Sequence, residues 1–183
     1  MSQPATALAV RDATPADVAD MAAIYDEQVR TSVATFDTEP RGAAHLTEKL
    51  ATAGPGNLVL VATEGTRLAG YAYSGPFRSR PAYAGTREVS VYVAPHARGR
   101  GVARTLYAAL LARLDAEPAV HTEVAVIALP NDASERLHRA FGFEPVGVLR
   151  EVGHKFGAYV DTAWWQRLAP EQVQVALDPT ATG

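Results

Sequence analysis

The sequence predicts a mixed α/β domain, with antiparallel hairpins in its first half and alternating strands and helices in its second. Three observations carry this. Two apolar runs, Leu58 to Thr63 and Leu68 to Ser74, flank Glu64-Gly65-Thr66-Arg67, a hairpin signal. The β-branched run Val89 to Val93 ends at Pro95, and a turn holding Gly99 and Gly101 then opens an amphipathic helix from Thr105 to about Ala116. A second strand–helix–strand unit follows: Glu123 to Leu129, then a helix over 133–141, then Phe143 to Leu149.

The remaining elements follow in order. Leu8 to Arg11 reads as a short strand. Thr14-Pro15-Ala16-Asp17 starts a helix, with Thr14 as N-cap, proline at the first position and an acid in the first turn. Val18, Met21, Ile24, Tyr25 and Val29 recur at helical spacing behind it. A second helix follows Pro40, burying Leu46 and Leu50, and Gly54-Pro55-Gly56-Asn57 breaks it. Gly75 to Gly85 is a loop rich in arginine and aromatic residues. Glu123 to Leu129 is apolar almost throughout, as in a strand covered on both faces. Pro130-Asn131-Asp132 opens the helix that stops at Gly142. A last strand lies within Lys155 to Arg167, after a turn at Phe156-Gly157-Ala158.

Bulk properties bound the function. The chain has 183 residues, 48% hydrophobic and 20% charged, which suits one domain over 8–168 with tails at 1–7 and 169–183. A net charge of −3 gives no general attraction for nucleic acid. Cysteine is absent, which excludes disulfides, thiol nucleophiles and cysteine-bound zinc. His45, His96, His121 and His154 have no metal-ligand spacing with carboxylates, so no metal is expected. No apolar run nears the ~20 residues of a membrane span, and Met1 to Ala7 lacks the order of a signal peptide. No membrane partner and a cytoplasmic location are therefore expected.

The turn at Arg98-Gly99-Arg100-Gly101-Val102-Ala103-Arg104 has a specific chemistry. Glycines let several N–H groups converge, and a helix N-terminus adds unpaired donors and a partial positive charge. Together they seat a diphosphate. Neither common phosphate motif is present: no Lys-Ser/Thr pair follows the glycines, and G-x-G-x-x-G is missing.

These residues resemble the GNAT superfamily of N-acetyltransferases over about residues 8 to 168. Arg98 to Ala103 matches that family's Q/R-x-x-G-x-G/A turn, and Asn131 to Phe143 its Asn-x-x-Ala…Gly-Phe helix. Several further blocks are similar to the phosphinothricin and methionine sulfoximine N-acetyltransferases: Phe36-x-x-Glu39-Pro40, Gly70-Tyr71-Ala72-Tyr73, Glu88-x-x-Val91-Tyr92-Val93, Leu129 to His138, and Trp165-Gln166-Arg167. The resemblance implies a GNAT fold, a mostly antiparallel twisted sheet of about 6–7 strands flanked by about four helices. It implies acetyl-CoA as co-substrate, a small amino-acid-like amine as acceptor, direct transfer in a ternary complex, and a homodimer.

Acyl transfer from a thioester needs a neutral amine, a polarised carbonyl and a tolerated thiolate. Glu88 heads an otherwise apolar strand, where a carboxylate faces a cavity or water; the resemblance makes it the base. A solvated strand-end glutamate is the plain alternative. His138 lies two helical turns past Asn131 and serves as acid or base near neutral pH, or only as a packed histidine beside Phe141. Many superfamily members carry a tyrosine there. Tyr107 is a rival proton donor. Backbone groups of Val91, Tyr92 and Val93 would meet the pantetheine arm if the strand splays at Pro95. Arg98, Gly99, Arg100, Gly101, Val102, Ala103 and Arg104 would hold the pyrophosphate, with Asn131 and Ser134 beside the cofactor. Asn131 as a simple N-cap is an equal reading. Ser134 has no adjacent histidine and acid to make it a nucleophile. Phe36, Arg78, Arg80 and Tyr83 are the acceptor-side candidates, since arginine grips carboxylate or phosphinate through paired N–H bonds; a merely solvated loop is the plain alternative. The resemblance adds Lys155, which matches a basic position of those enzymes and would stand near the acceptor, from the same chain or from the partner subunit. Three rivals remain: the same chemistry on another amine, a coenzyme-A-binding module without turnover, and a diphosphate-binding nucleotide enzyme, which the missing Lys-Ser/Thr pair disfavours.

Overall fold

The computed structural model describes residues 8–170. Seven strands form one sheet: β1 (Leu8–Asp12), β2 (Val59–Glu64), β3 (Arg67–Pro76), β4 (Thr86–Val93), β5 (Thr122–Ala128), β6 (Glu144–Lys155) and β7 (Ala158–Leu168). Four helices accompany it: α1 (Val18–Thr31), α2 (Ala44–Ala51), α3 (Val102–Asp115) and α4 (Asp132–Ala140). The strand order is β1-β2-β3-β4-β5-β7-β6, and β4–β5 is the one parallel pair in it. This is the expected mixed architecture.

Local chemistry explains the elements. Thr14 is extended, and its backbone N–H and hydroxyl both donate to Asp17, which also grips Arg11 through two bonds of 2.7 Å. Pro15–Asp17 is a single 3₁₀ turn before α1 proper. Asn131 caps α4 by accepting from Ser134 N at 3.1 Å. Side chains alternate across β3 and β4, so Tyr71, Tyr73 and Tyr92 stack on one face against Tyr25 of α1. On the other face α3 presses close: a Cβ at Gly70 would lie 2.7 Å from Tyr92 O and 3.1 Å from Val102. The α3 residues Leu106, Tyr107, Leu110 and Leu114 are almost wholly buried there.

Three expectations change. The strand expected at Phe143 to Leu149 runs on to Lys155, passing register shifts at Pro145/Gly147 and Leu149/Gly153 and a left-handed Glu151. It is the sheet edge and is solvent-exposed over most of its length, so no burial pattern marks its extent. The arginine-rich loop is shorter than expected, because β3 continues to Pro76 and Pro81–Tyr83 forms a 3₁₀ turn. Ala169, placed in a tail by the sequence, is buried and donates its N–H to His121 O. The rest of the expected tails, 1–7 and 171–183, lies outside the described residues.

Candidate active site

Strands β4 and β5 share only three rungs, Thr86–Thr122, Arg87–Glu123 and Glu88–Val124. Beyond Glu88 they part. The separation therefore begins at Glu88 and not at Pro95, the point inferred from the proline. Over Val89 to Val93, β4 keeps its pairing with β3, while its groups on the other side have no strand partner. A cleft of about 100 Å³ occupies this parting, lined by Val91, Tyr92, Val126, Asn131, Ser134 and His138 among others.

At the far end of β4 the glycine turn leads into α3. Gly99 and Gly101 have φ of 74° and 80°, and a Cβ at either would meet nothing within 4 Å. Gly101 caps the helix, so the amides of Val102, Ala103 and Arg104 lack intrahelical acceptors by helix geometry. The arginine side chains depart from expectation. Arg98 pairs with Glu27 at 3.2 Å and Arg100 with Glu64 at 2.8 Å, while Arg104 lies over the Phe141 ring. Both ion pairs are about half exposed on the arginine side, where such contacts are weak and exchange readily.

Glu88 sits at the last shared rung, half-buried. Burial raises its carboxyl above the usual range, and Lys49 and Arg78 partly oppose that rise. Across β3–β4 its register partner is Gly75.

His138 is only 3% exposed, and both ring nitrogens are engaged inside the chain. Nδ1 lies 2.7 Å from the Ser134 carbonyl, which can only accept, so Nδ1 carries the hydrogen. Nε2 is then the acceptor for the Tyr107 hydroxyl at 2.9 Å. Burial holds the imidazole below its ordinary pKa, so it is neutral at pH 7. A free acid–base His138 is thus not what this arrangement offers. Ser134 Oγ approaches a histidine, at 3.4 Å from His138 Nδ1, but among the described residues no acid completes a nucleophile arrangement there. A protonated Nδ1 cannot take its proton, so Ser134 is not activated.

The acceptor-side residues divide. Phe77 packs edge-on with Tyr83 and with Trp164, and Arg78 lies over the Phe77 ring. Arg78, Arg80 and Tyr83 are exposed. Phe36, 40% exposed, lies against Gly153 of β6. Lys155 is a correction: its ammonium is buried and donates to the Thr35 carbonyl at 2.7 Å in the same chain, so it ties down the loop bearing Phe36. Tyr25 secures that loop too, through Thr35 and Asp37. Sequence reasoning missed Lys49 and Trp164. Neither stands in a motif, and their positions come from tertiary packing.

Among the described residues no group of three or more potential metal ligands occurs, and no helix is long and apolar enough to cross a membrane.

A sheet that opens between two parallel strands, with a helix N-terminus beyond the gap, defines a class: acyltransferases that draw their acyl group from coenzyme A. Residues 10–164 match the family model described as acetyltransferase (GNAT) domain, and the chain belongs to that family. It is 45% identical over 162 residues to a phosphinothricin N-acetyltransferase of Streptomyces coelicolor, covering 86% of this chain and 94% of that protein. It is 36% identical over 173 residues to an L-methionine sulfoximine/L-methionine sulfone acetyltransferase of Pseudomonas aeruginosa, covering 93% and 95%. A phosphinothricin acetyltransferase of Sinorhizobium meliloti, solved with acetyl-CoA, superposes with a TM-score of 0.85 at 37% identity, over 91% of this chain and 90% of that one. The chain is an acetyl-CoA-dependent N-acetyltransferase. Its open glycine turn, free first-turn amides and half-unpaired β4 fit that co-substrate.

Proposed function

We propose that this enzyme acetylates the α-amine of a small amino-acid-like acceptor of the phosphinothricin, methionine sulfoximine or methionine sulfone class, by direct attack in a ternary complex. The position of Glu88 carries the reading: a half-buried carboxylate at the rung where the cleft begins. An α-amine, with a pKa near ~8, is mostly protonated at pH 7. Glu88 removes that proton, and its burial makes it a stronger base than a solvated glutamate. Bound acetyl-CoA would supply the thioester carbonyl that the amine attacks; as the N–C bond forms the C–S bond breaks, and the departing thiolate takes the amine's second proton through solvent to leave as the thiol of coenzyme A. Backbone groups of Val91 to Val93 orient the pantetheine arm, and the amides from Gly99 to Arg104 cradle the diphosphate, with Asn131 and Ser134 lining the cofactor side. Arg98 and Arg100 release their carboxylates to reach it. Phe36, Arg78, Arg80 and Tyr83 surround the acceptor's side chain. His138 acts by positioning Tyr107 and α4.

Direct transfer is supported by the absence of cysteine and by the protonated Nδ1 that leaves Ser134 unactivated. The relatives' acceptors support the substrate class. A homodimer is supported by the edge strand β6, which exposes Val146, Val148 and Val152 at 64%, 52% and 56%. Light scattering should give the mass of two chains; the mass of one would overturn that part.

The deciding experiment is thiol release from acetyl-CoA against a panel of amino acids and their sulfoximine, sulfone and phosphinate analogues. Turnover is expected on the analogues, with intersecting initial-velocity lines and no acetyl adduct by intact mass. Coenzyme binding without turnover on any amino acid or analogue would sink the substrate claim.

A further inference from the structure

The proposed reaction leaves one cation beside the transfer site unused. Lys49, on α2, places its ammonium 3.8 Å from the centre of the Tyr73 ring. A Cβ built on Gly75 would lie 3.8 Å from the same nitrogen, and Gly75 is the cross-strand partner of Glu88. The ammonium thus sits next to the base without touching it: among the described residues no carboxylate lies within 4 Å of Lys49, and its ammonium makes no hydrogen bond. It lines a cavity of about 310 Å³ with Tyr25, Arg41, His45, Glu48, Tyr73 and Gly75, where two cationic side chains, Lys49 and Arg41, stand against one carboxylate.

A partly desolvated cation whose nearest anions, Glu88 and Glu48, act on it without contact is a costly arrangement that an anion in direct contact relieves. An α-amino acid carries its carboxylate one carbon from its amine. Whatever receives the carboxylate must therefore lie beside whatever receives the amine's proton. Two cations are close enough to influence Glu88, Lys49 and Arg78. Arg78 is exposed, belongs to a loop and lies on Phe77. Lys49 projects from a helix and is held on an aromatic face, so it is the better ordered of the two. We infer that Lys49 receives the acceptor's α-carboxylate and so sets its amine against Glu88, leaving Arg78 and Arg80 to the acidic end of the side chain. This rests on the proposed amino-acid acceptor and on Glu88 as base, and it makes the free carboxylate a requirement of the enzyme rather than a tolerated feature.

The test compares an accepted amino-acid analogue with its carboxamide, in wild type, Lys49→Met and Lys49→Arg. The wild type should prefer the free acid. Lys49→Met should raise KM for the free acid roughly 10- to 100-fold, as expected for a lost charge-assisted contact. It should leave KM for the carboxamide and for acetyl-CoA unchanged, erasing the preference, while Lys49→Arg retains most of it. Thermal unfolding of each variant with bound acetyl-CoA checks folding, and Lys49→Gln serves if the methionine variant is unstable. Equal losses on acid and carboxamide, or a shift in the acid limb of kcat with the preference intact, would overturn the assignment and make Lys49 a modulator of Glu88. If wild type turns over no amino acid at all, the acceptor reading itself fails, an outcome visible before any variant is made.

Discussion

At the scale of single residues, Glu88 and His138 are both titratable and both near the cleft, but their surroundings give them opposite duties. Glu88 is half-buried, its carboxyl raised by burial and without a hydrogen bond among the described residues. His138 is enclosed, neutral and bonded at both nitrogens. At saturating acceptor, kcat should therefore fall as pH drops through a value above the ordinary glutamate range of ~4.3, because the base must be ionised to work. Glu88→Gln should remove that limb and lower kcat by roughly 10² to 10⁴ with acetyl-CoA affinity kept. His138→Gln should leave the limb in place and instead cost about 1–3 kcal/mol of stability, as buried partners are left unpaired. A pH–rate series on the two variants separates these outcomes. Glu88 stood out in the sequence as the carboxylate just before a β-branched run, while its part as base comes from the resemblance and the proposal. Asn131 was legible because caps are local chemistry. The tautomer of His138 was not, since it is set by Ser134 one turn back and by Tyr107 on another helix.

At the scale of elements, the β6–β7 hairpin reaches across to hold the loop between α1 and α2. Lys155 ties Thr35, and Gly153 accommodates Phe36 so closely that a Cβ would lie 2.4 Å from the ring's far carbon. Gly153 does not have a positive φ, so a methyl there strains no backbone and the ring must yield. Gly153→Ala should fold with a loss of no more than about 1 kcal/mol. It should raise KM for the acceptor about tenfold, with KM for acetyl-CoA unchanged, in steady-state kinetics. An unmoved acceptor KM would mean that Phe36 does not border the acceptor. Turns and helices were well read from the sequence, because glycine, proline and cap residues mark their ends. The extent of β6 was hidden. An exposed edge strand has no buried face to impose alternation, and its bulges break the register further.

At the scale of the whole molecule, one ion network joins the helix layer to the sheet centre. Arg167 on β7 binds Asp115, the last residue of α3, through two bonds of 2.8 Å, and reaches Glu123 of β5 at 3.1 Å. Glu123 is 0% exposed. Burial raises its carboxyl and Arg167 opposes the rise. Arg167→Met leaves that carboxylate buried without its cation, at a cost of about 3–5 kcal/mol near neutral pH. The sign of the pH dependence follows. Without Arg167 the folded-state pKa of Glu123 rises further above its unfolded value, so stability is kept below the unfolded value and lost as pH climbs through the folded one. Denaturant unfolding should show the deficit largest at pH 7 and smaller near about pH 5. A deficit that does not change with pH would show that Glu123 is not its source. Overall strand number and helix order were legible from periodicity and punctuation. This cross-layer network was not, since Arg167 lies far along the chain from Asp115 and Glu123.

The three-rung contact between β4 and β5 has a last consequence, for folding rather than chemistry. The sheet is one strand short along half of its central seam, and a ligand whose amides occupy that gap acts as the missing strand. Ligand affinity then becomes part of the stability of the fold: at 100-fold excess over Kd, about 2.7 kcal/mol. Amide exchange along Val89 to Val93 should accordingly slow on adding coenzyme A, at the positions facing the gap, and resume when it is removed.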